Sequence, residues 1–197
     1  MEIISKVAIN KGWSDDKKYC VIDKNQQKFF LRVSEKEKLD SKKFEFYMME
    51  KVASLGVPMC KPISIELCGD EVHSMHEWID GKDARETILT YSKEQQYTYG
   101  VEAGSMLRKI HSLPVIEVRE DWESFYNRKI DDKISKYKKC PIQYENGQIF
   151  LDFLNANREW LKDRPQVFQH GDYHIGNFMI GEDRKIYVID FDRFDLG

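Results

Sequence analysis

The residues best suited to chemistry fall between Gln166 and Gly197: His170-Gly171-Asp172, Asn177 five residues after that aspartate, and Asp190 at the end of an apolar run. Phe178–Ile180 and Ile186–Ile189 are β-type segments separated by the polar Gly181-Glu182-Asp183-Arg184-Lys185, which predicts a hairpin. A turn centred on Asp183-Arg184 sets Asn177 directly across from Asp190, and a register one residue different still leaves them neighbours. Opposed residues have Cβ atoms about 4.5–5.5 Å apart. That separation lets an amide oxygen and a carboxylate share one Mg²⁺, a hard cation that takes oxygen ligands. Asp172 lies in the loop just before this pair, where a carboxylate accepts a hydrogen bond from a substrate hydroxyl and aims it at a metal-bound phosphate. Phosphoryl transfer rests mainly on positioning and charge neutralisation, for which one base and two metal ligands suffice.

The elements that must position these groups can be read upstream. Tyr19–Ile22 and Phe29–Val33 are short β-type runs joined by the polar turn Asp23–Gln27, a second hairpin. A helix follows, with Ser41 as its N-cap, Phe44, Met48, Val52 and Leu55 at helical spacing, and Gly56 and Pro58 as its stop. Ile63–Leu67 and Glu71–Met75 read as further strands. The period then changes from two to 3.6 near Gly81. Ser92 and Gln95 form a capping box for a helix on which Tyr97, Val101, Gly104, Leu107 and His111 share one face. Tyr126, Ile130, Ile134 and Tyr137 mark a second helix, and Phe150, Phe153, Leu154, Trp160 and Leu161 a third, closed by Pro165. A small sheet followed by helices is an α+β pattern with a boundary near Gly81.

The order His-x-Asp-x-x-x-x-Asn followed by a strand-ending aspartate matches the catalytic loop and metal-binding aspartate of protein kinases. His170-Gly171-Asp172-Tyr173-His174-Ile175-Gly176-Asn177, with Val188-Ile189-Asp190, resembles the signature of the aminoglycoside phosphotransferase and choline kinase superfamily. The resemblance implies a two-lobed, protein-kinase-like α+β fold that clamps ATP (or GTP) and Mg²⁺. An N-terminal nucleotide-binding lobe, residues 1–80, would hold a small antiparallel sheet and one helix, and a mainly helical catalytic lobe would span 81–197. It implies Asp172 as catalytic base and Asn177 and Asp190 as metal ligands. The acceptor would be a small-molecule hydroxyl, with an aminoglycoside-type antibiotic ahead of choline, a sugar or an amino-alcohol.

Gly12-Trp13-Ser14-Asp15-Asp16 resembles the family's nucleotide loop, with Ser14 touching phosphate. Phe29–Val33 takes the place of the kinase lysine strand with Arg32 instead of lysine, and Glu45, on the inner face of the first helix, is its natural partner. Met75-His76-Glu77-Trp78 resembles the hinge, whose backbone at Glu77 and Trp78 would bond the adenine edge. Relatives continue past the equivalent of Gly197 with a helical segment lining the acceptor pocket, so the resemblance implies a partial catalytic lobe.

Plainer readings stand beside these. His170 reads as a histidine that holds backbone by hydrogen bonds, and His111 as a core histidine. His174 faces either the site or solvent. Arg32 with Glu45 reads equally as an ordinary ion pair, Gly12 and Ser14 as a simple turn, and Asp192 and Asp195 as a solvated acidic run. A non-catalytic, pseudokinase-like nucleotide module is the competing function, supported by Arg32 and the missing G-x-G-x-x-G. With 41% apolar and 33% charged residues the chain of 197 is foldable, and a net charge of −3 with scattered Lys and Arg gives no argument for a nucleic-acid surface. Four dispersed cysteines argue against structural zinc and a disulfide framework. No run of about 18 apolar residues exists, so a cytoplasmic protein without a membrane partner is expected. The oligomeric state is not legible.

Overall fold

The computed structural model describes residues 2–10, 15–115 and 120–196. Alternating apolar residues in the first third make a five-stranded antiparallel sheet of order β1-β2-β3-β5-β4, from β1 (Ile3–Ala8), β2 (Lys17–Asp23), β3 (Lys28–Glu35), β4 (Pro62–Cys68) and β5 (Glu71–Glu77). The β2–β3 hairpin falls where its turn residues predict. Asp23 Oδ1 accepts the N–H groups of Asn25 and Gln27, both at 2.9 Å, and ties the turn to its own side chain. Val21, Phe29, Leu31 and Val33 form a buried cluster on one face, with Tyr19 and Met75 packed against it. The period of two therefore turns Phe30, Arg32 and Ser34 to the opposite face.

That opposite face carries α1 (Leu39–Ser54), which buries Glu45, Phe46, Met48, Met49 and Val52. Ser41 is not its N-cap. The helix enters through a 3₁₀ turn at Lys36–Lys38, and the Ser41 hydroxyl donates back to the Lys38 carbonyl at 2.8 Å. Serine hydroxyls inside a first turn commonly bond backward in this way rather than capping.

After β5 the chain adds β6 (Gly81–Asp83), a strand that the helical periodicity beyond Gly81 hides. It pairs with β8 (Phe178–Gly181), which pairs in turn with β9 (Ile186–Val188). A short α2 (Ala84–Thr87) precedes α3 (Lys93–Ile110), where the Ser92–Gln95 capping box is present. The buried stripe of α3 is Tyr99, Met106 and Ile110, whereas Tyr97 is 76% and Val101 51% exposed. Two stripes at helical spacing compete in this sequence. Burial goes to the one whose Tyr99 hydroxyl donates to the Arg184 carbonyl at 3.2 Å. His111 caps the helix end half-buried instead of lying in a core.

Two compact units emerge, one of Met1–Leu113 with Gln169–Asp195 and one of Pro114–Phe168 with Leu196–Gly197. Gly81 lies inside the first unit. The second holds α4 (Trp122–Lys139), capped by Asp121, and α5 (Gly147–Ala156). The predicted third helix stops at Asn157, whose amide donates to the Phe153 carbonyl at 2.7 Å, and resumes as a 3₁₀ turn at Arg158–Leu161. Two two-residue strands, β7 (Phe168–Gln169) and β10 (Asp195–Leu196), lie where the chain passes between units. No helix among the described residues is long and apolar enough to cross a membrane.

Candidate active site

The β8–β9 hairpin reverses through Gly181–Lys185, with the Gly181 N–H on the Lys185 carbonyl at 2.9 Å and Arg184 at φ +62°. Phe178 faces Val188, and Ile180 faces Ile186, so the turn centres on Asp183 and the register differs by one residue from the one with Asn177 across from Asp190. Asn177 accordingly stands opposite Ile189, whose N–H donates to its carbonyl at 2.9 Å, and Asp190 is the next residue on that strand. Asp190 itself adopts φ +65°, a left-handed conformation that aspartate tolerates better than most residues.

Asn177 is buried, and its amide nitrogen donates to the Asp172 carbonyl at 2.9 Å. An amide that spends its nitrogen on a carbonyl must turn Oδ1 the other way, which leaves an oxygen of the right chemistry for a hard cation. Asn177 and Asp190 thus fit the two-ligand sites Mg²⁺ favours, where substrate phosphates and water complete the shell. Among the described residues no three His, Cys, Asp or Glu side chains could hold a metal ion.

His170 fastens the loop to the hairpin. Its Nδ1 accepts the Asp172 N–H at 3.3 Å, so the proton resides on Nε2, which donates to the Ile189 carbonyl at 3.0 Å. Burial holds its pKa below the ordinary histidine range and outweighs the Ile189 carbonyl and the nearby aspartates that raise it. One neutral ring therefore bridges Ile189, the ladder partner of Asn177, and the loop that bears Asp172. Gly171 makes this approach possible. At φ +79° a Cβ would lie 1.6 Å from the Arg193 carbonyl oxygen, so no other residue fits without backbone movement.

Two side chains stand near the Asp172 carboxylate. His174 Nε2 lies 3.3 Å from Oδ1, and Arg193 Nη1 3.6 Å from Oδ2. His174 Nδ1 accepts the Gly176 N–H at 3.0 Å, which puts the ring proton on Nε2, toward Asp172. Of the two readings for His174, the structure takes the one that faces the carboxylate. Tyr173 anchors the same loop to α3 by donating to the Ala103 carbonyl at 2.6 Å.

Arg32 and Glu45 meet at 3.3 Å, and three residues that the sequence did not single out for this role join them. Asp16 lies 2.8 Å from Arg32 Nε, Asp192 engages both Nη1 and Nη2, and Lys42 stands 2.9 Å from Asp16 and 2.9 Å from Glu45. The Arg32 and Asp16 side chains are only 8% and 4% exposed. Burial alone would raise the Asp16 pKa, but Lys42 and Arg32 outweigh it and hold it below the usual carboxylate range. The pair is therefore no ordinary surface ion pair, and Asp192 is not part of a solvated acidic run. Helical spacing on α1, with Lys42 three residues before Glu45, was the one signal available for Lys42.

At the proposed hinge, the Glu77 N–H donates to the Lys61 carbonyl at 2.8 Å, and the Glu77 carbonyl accepts the Cys60 thiol at 3.0 Å. Burial pushes the Cys60 pKa up to about 12, so the thiol keeps the proton it donates. The Glu77 side chain is exposed beside Lys61, and Trp78 Nε1 donates to Asp80 at 3.0 Å. Ser14 and Gly12 lie outside the described residues.

This α+β arrangement, an N-terminal antiparallel sheet with one helix and a loop-hairpin site, has the fold of protein-kinase-like phosphotransferases. The profile of the phosphotransferase enzyme family matches residues 7–197, and the chain belongs to that family. Solved structures with the same fold include the ADP-bound aminoglycoside phosphotransferase APH(2'')-Ib (16% identity, TM-score 0.73, covering 100% of this chain and 68% of that one). Macrolide 2'-phosphotransferase MphH from Brachybacterium faecium matches at 14% identity and TM-score 0.67, covering 96% and 66%. Amicoumacin kinase hAmiN, in complex with AMP-PNP, Ca²⁺ and Ami, matches at 15% identity and TM-score 0.63, covering 95% and 59%. The chain thus spans between 59% and 68% of these proteins. A comparison with curated protein sequences found no match.

Proposed function

We propose that the protein transfers the γ-phosphate of ATP or GTP to a hydroxyl of a small molecule, with an aminoglycoside-type antibiotic as the acceptor class to test first. The observation that carries this reading is the bond from the Asn177 amide to the Asp172 carbonyl at the end of the β8–β9 ladder. It ties the base-bearing loop to the pair of oxygen ligands. In this reading residues 1–80 hold the nucleotide and residues 81–197 supply the base and metal ligands. The similarity to aminoglycoside phosphotransferases supports the choice of acceptor.

Asp172 accepts the proton of the acceptor hydroxyl as its oxygen bonds to the γ-phosphorus, and the bond to the β-phosphate oxygen breaks to leave the nucleoside diphosphate. His174 and Arg193 fix the two carboxylate oxygens during this step. Asn177 and Asp190 would hold Mg²⁺, which neutralises phosphate charge when bound. Arg32 and Glu45 belong to the nucleotide end, Glu77 and Trp78 to the adenine edge, and Ser14 to the phosphate loop. The test is nucleotide turnover with magnesium over a panel of aminoglycosides, a macrolide, choline and sugars, with products identified by mass. A phosphorylated acceptor is expected. Asp172→Asn should lower turnover by about 10²–10⁴-fold while nucleotide affinity changes little. Magnesium-dependent nucleotide binding by a folded protein with no product from any acceptor would instead support the pseudokinase-like module.

A further inference from the structure

Arg32 occupies the strand position that the sequence assigns to phosphate, yet its guanidinium already meets a carboxylate on every edge. Asp16 takes Nε, Glu45 takes Nη1, and Asp192 spans Nη1 and Nη2. Swinging such a fork toward a ligand would strip a buried charge of its partners, at a cost of several kcal/mol for a buried ion pair. A guanidinium held in this way is an anchor.

Directly opposite Arg32 in the β2–β3 ladder stands Lys18. Opposed residues of an antiparallel pair project to the same face, so Lys18 leaves the sheet on the side where Arg32 meets Asp192. Its flexible four-carbon stem ends in a compact point charge, the kind of cation that serves phosphate without a fork. Lys18 is half-buried.

We propose that Lys18 is the cation that neutralises the phosphates of the bound nucleotide, and that Arg32 is a positioning residue that holds α1, the start of β2 and the segment after Asp190 around it. The inference rests on the nucleotide-dependent reading given above. Its ligand is a nucleoside di- or triphosphate, recognised at its phosphates and not at its base.

Calorimetric titration of the protein and its Lys18→Met and Lys18→Arg variants with magnesium plus ADP, magnesium plus ATP, and adenosine tests it. Lys18→Met should weaken ADP and ATP by about tenfold or more, the loss of one charge-assisted bond, and leave adenosine unaffected. Lys18→Arg should restore most of that affinity. Parent-like ADP affinity in Lys18→Met would overturn the assignment while leaving the functional reading intact. A parent protein that binds neither nucleotide would overturn the functional reading itself, and the Lys18 assignment with it.

Discussion

The loop-hairpin segment and the cluster around Arg32 both organise carboxylates, but they are assembled in opposite ways. Asp172, Asn177 and Asp190 lie within one short stretch, and its own backbone bonds set their geometry: Asn177 N–H to His174 carbonyl at 2.8 Å, and Ile189 N–H to Asn177 carbonyl at 2.9 Å. The cluster draws Asp16 from the start of β2, Arg32 from β3, Lys42 and Glu45 from α1, and Asp192 from beyond β9. Local closure needs little loop entropy and yields a site that depends on single backbone conformations. Long-range closure yields a site that depends on charge balance, because each buried ion is tolerable only while its partners remain.

The largest effect should come from breaking that balance. Arg32→Met takes from Asp16, Glu45 and Asp192 the guanidinium they share, leaving Lys42 beside Asp16 and Glu45 and Lys38 beside Asp16, and should lower the unfolding free energy by about 3–5 kcal/mol. Arg32→Lys keeps the charge but loses the two-pronged contact with Asp192, so it should fall between parent and Met variant. Urea titration of the three proteins checks the order, and an Arg32→Met protein as stable as the parent would show that the cluster is not held by charge balance.

Next comes the hairpin side, where the vulnerable feature is backbone. Gly171→Ala must bear a left-handed φ and displace the Arg193 carbonyl, which should cost about 2–4 kcal/mol and reduce turnover with it. A Gly171→Ala protein with parent stability and activity would mean that the loop is not fixed by its approach to residue 193.

The smallest effect separates the regions by pH. His76 on β5 is buried, with Nε2 2.7 Å from the Ser74 hydroxyl and no hydrogen-bond partner at Nδ1 among the described residues. Burial, then Arg32 and Lys42, lower its pKa from 6.5 to about 3. The unfolded chain therefore takes up this proton near pH 6.5 and the folded protein only far below. The associated stability is complete above pH 6.5 and is lost as pH falls toward about 3, by about 2 kcal/mol between pH 7.5 and 5. His170, lowered in the same direction, adds to the same window. His76→Phe should flatten this dependence in urea titrations at the two pH values, and an unchanged slope would assign the effect to His170 alone.

How much of this was legible follows the same division. The Asp23–Gln27 turn, the Ser92–Gln95 box and the β8–β9 hairpin are written in adjacent residues, and they form as read. The hairpin register slipped by one because a polar run does not say which of its residues will take the left-handed position, and Arg184 did. The wrong stripe of α3 was chosen because helical periodicity names two candidate faces, and only the hairpin packed beside Tyr99 selects one.

The sequence by itself brought Asp172, Asn177 and Asp190 together as a set, since a short loop and one hairpin carry all three. Only the tertiary structure decided that Arg32 is enclosed by Asp16, Glu45 and Asp192, and that Lys18 shares its face. Coulomb interactions depend on distance in space, and nothing in the order of residues records that positions 160 apart come into contact.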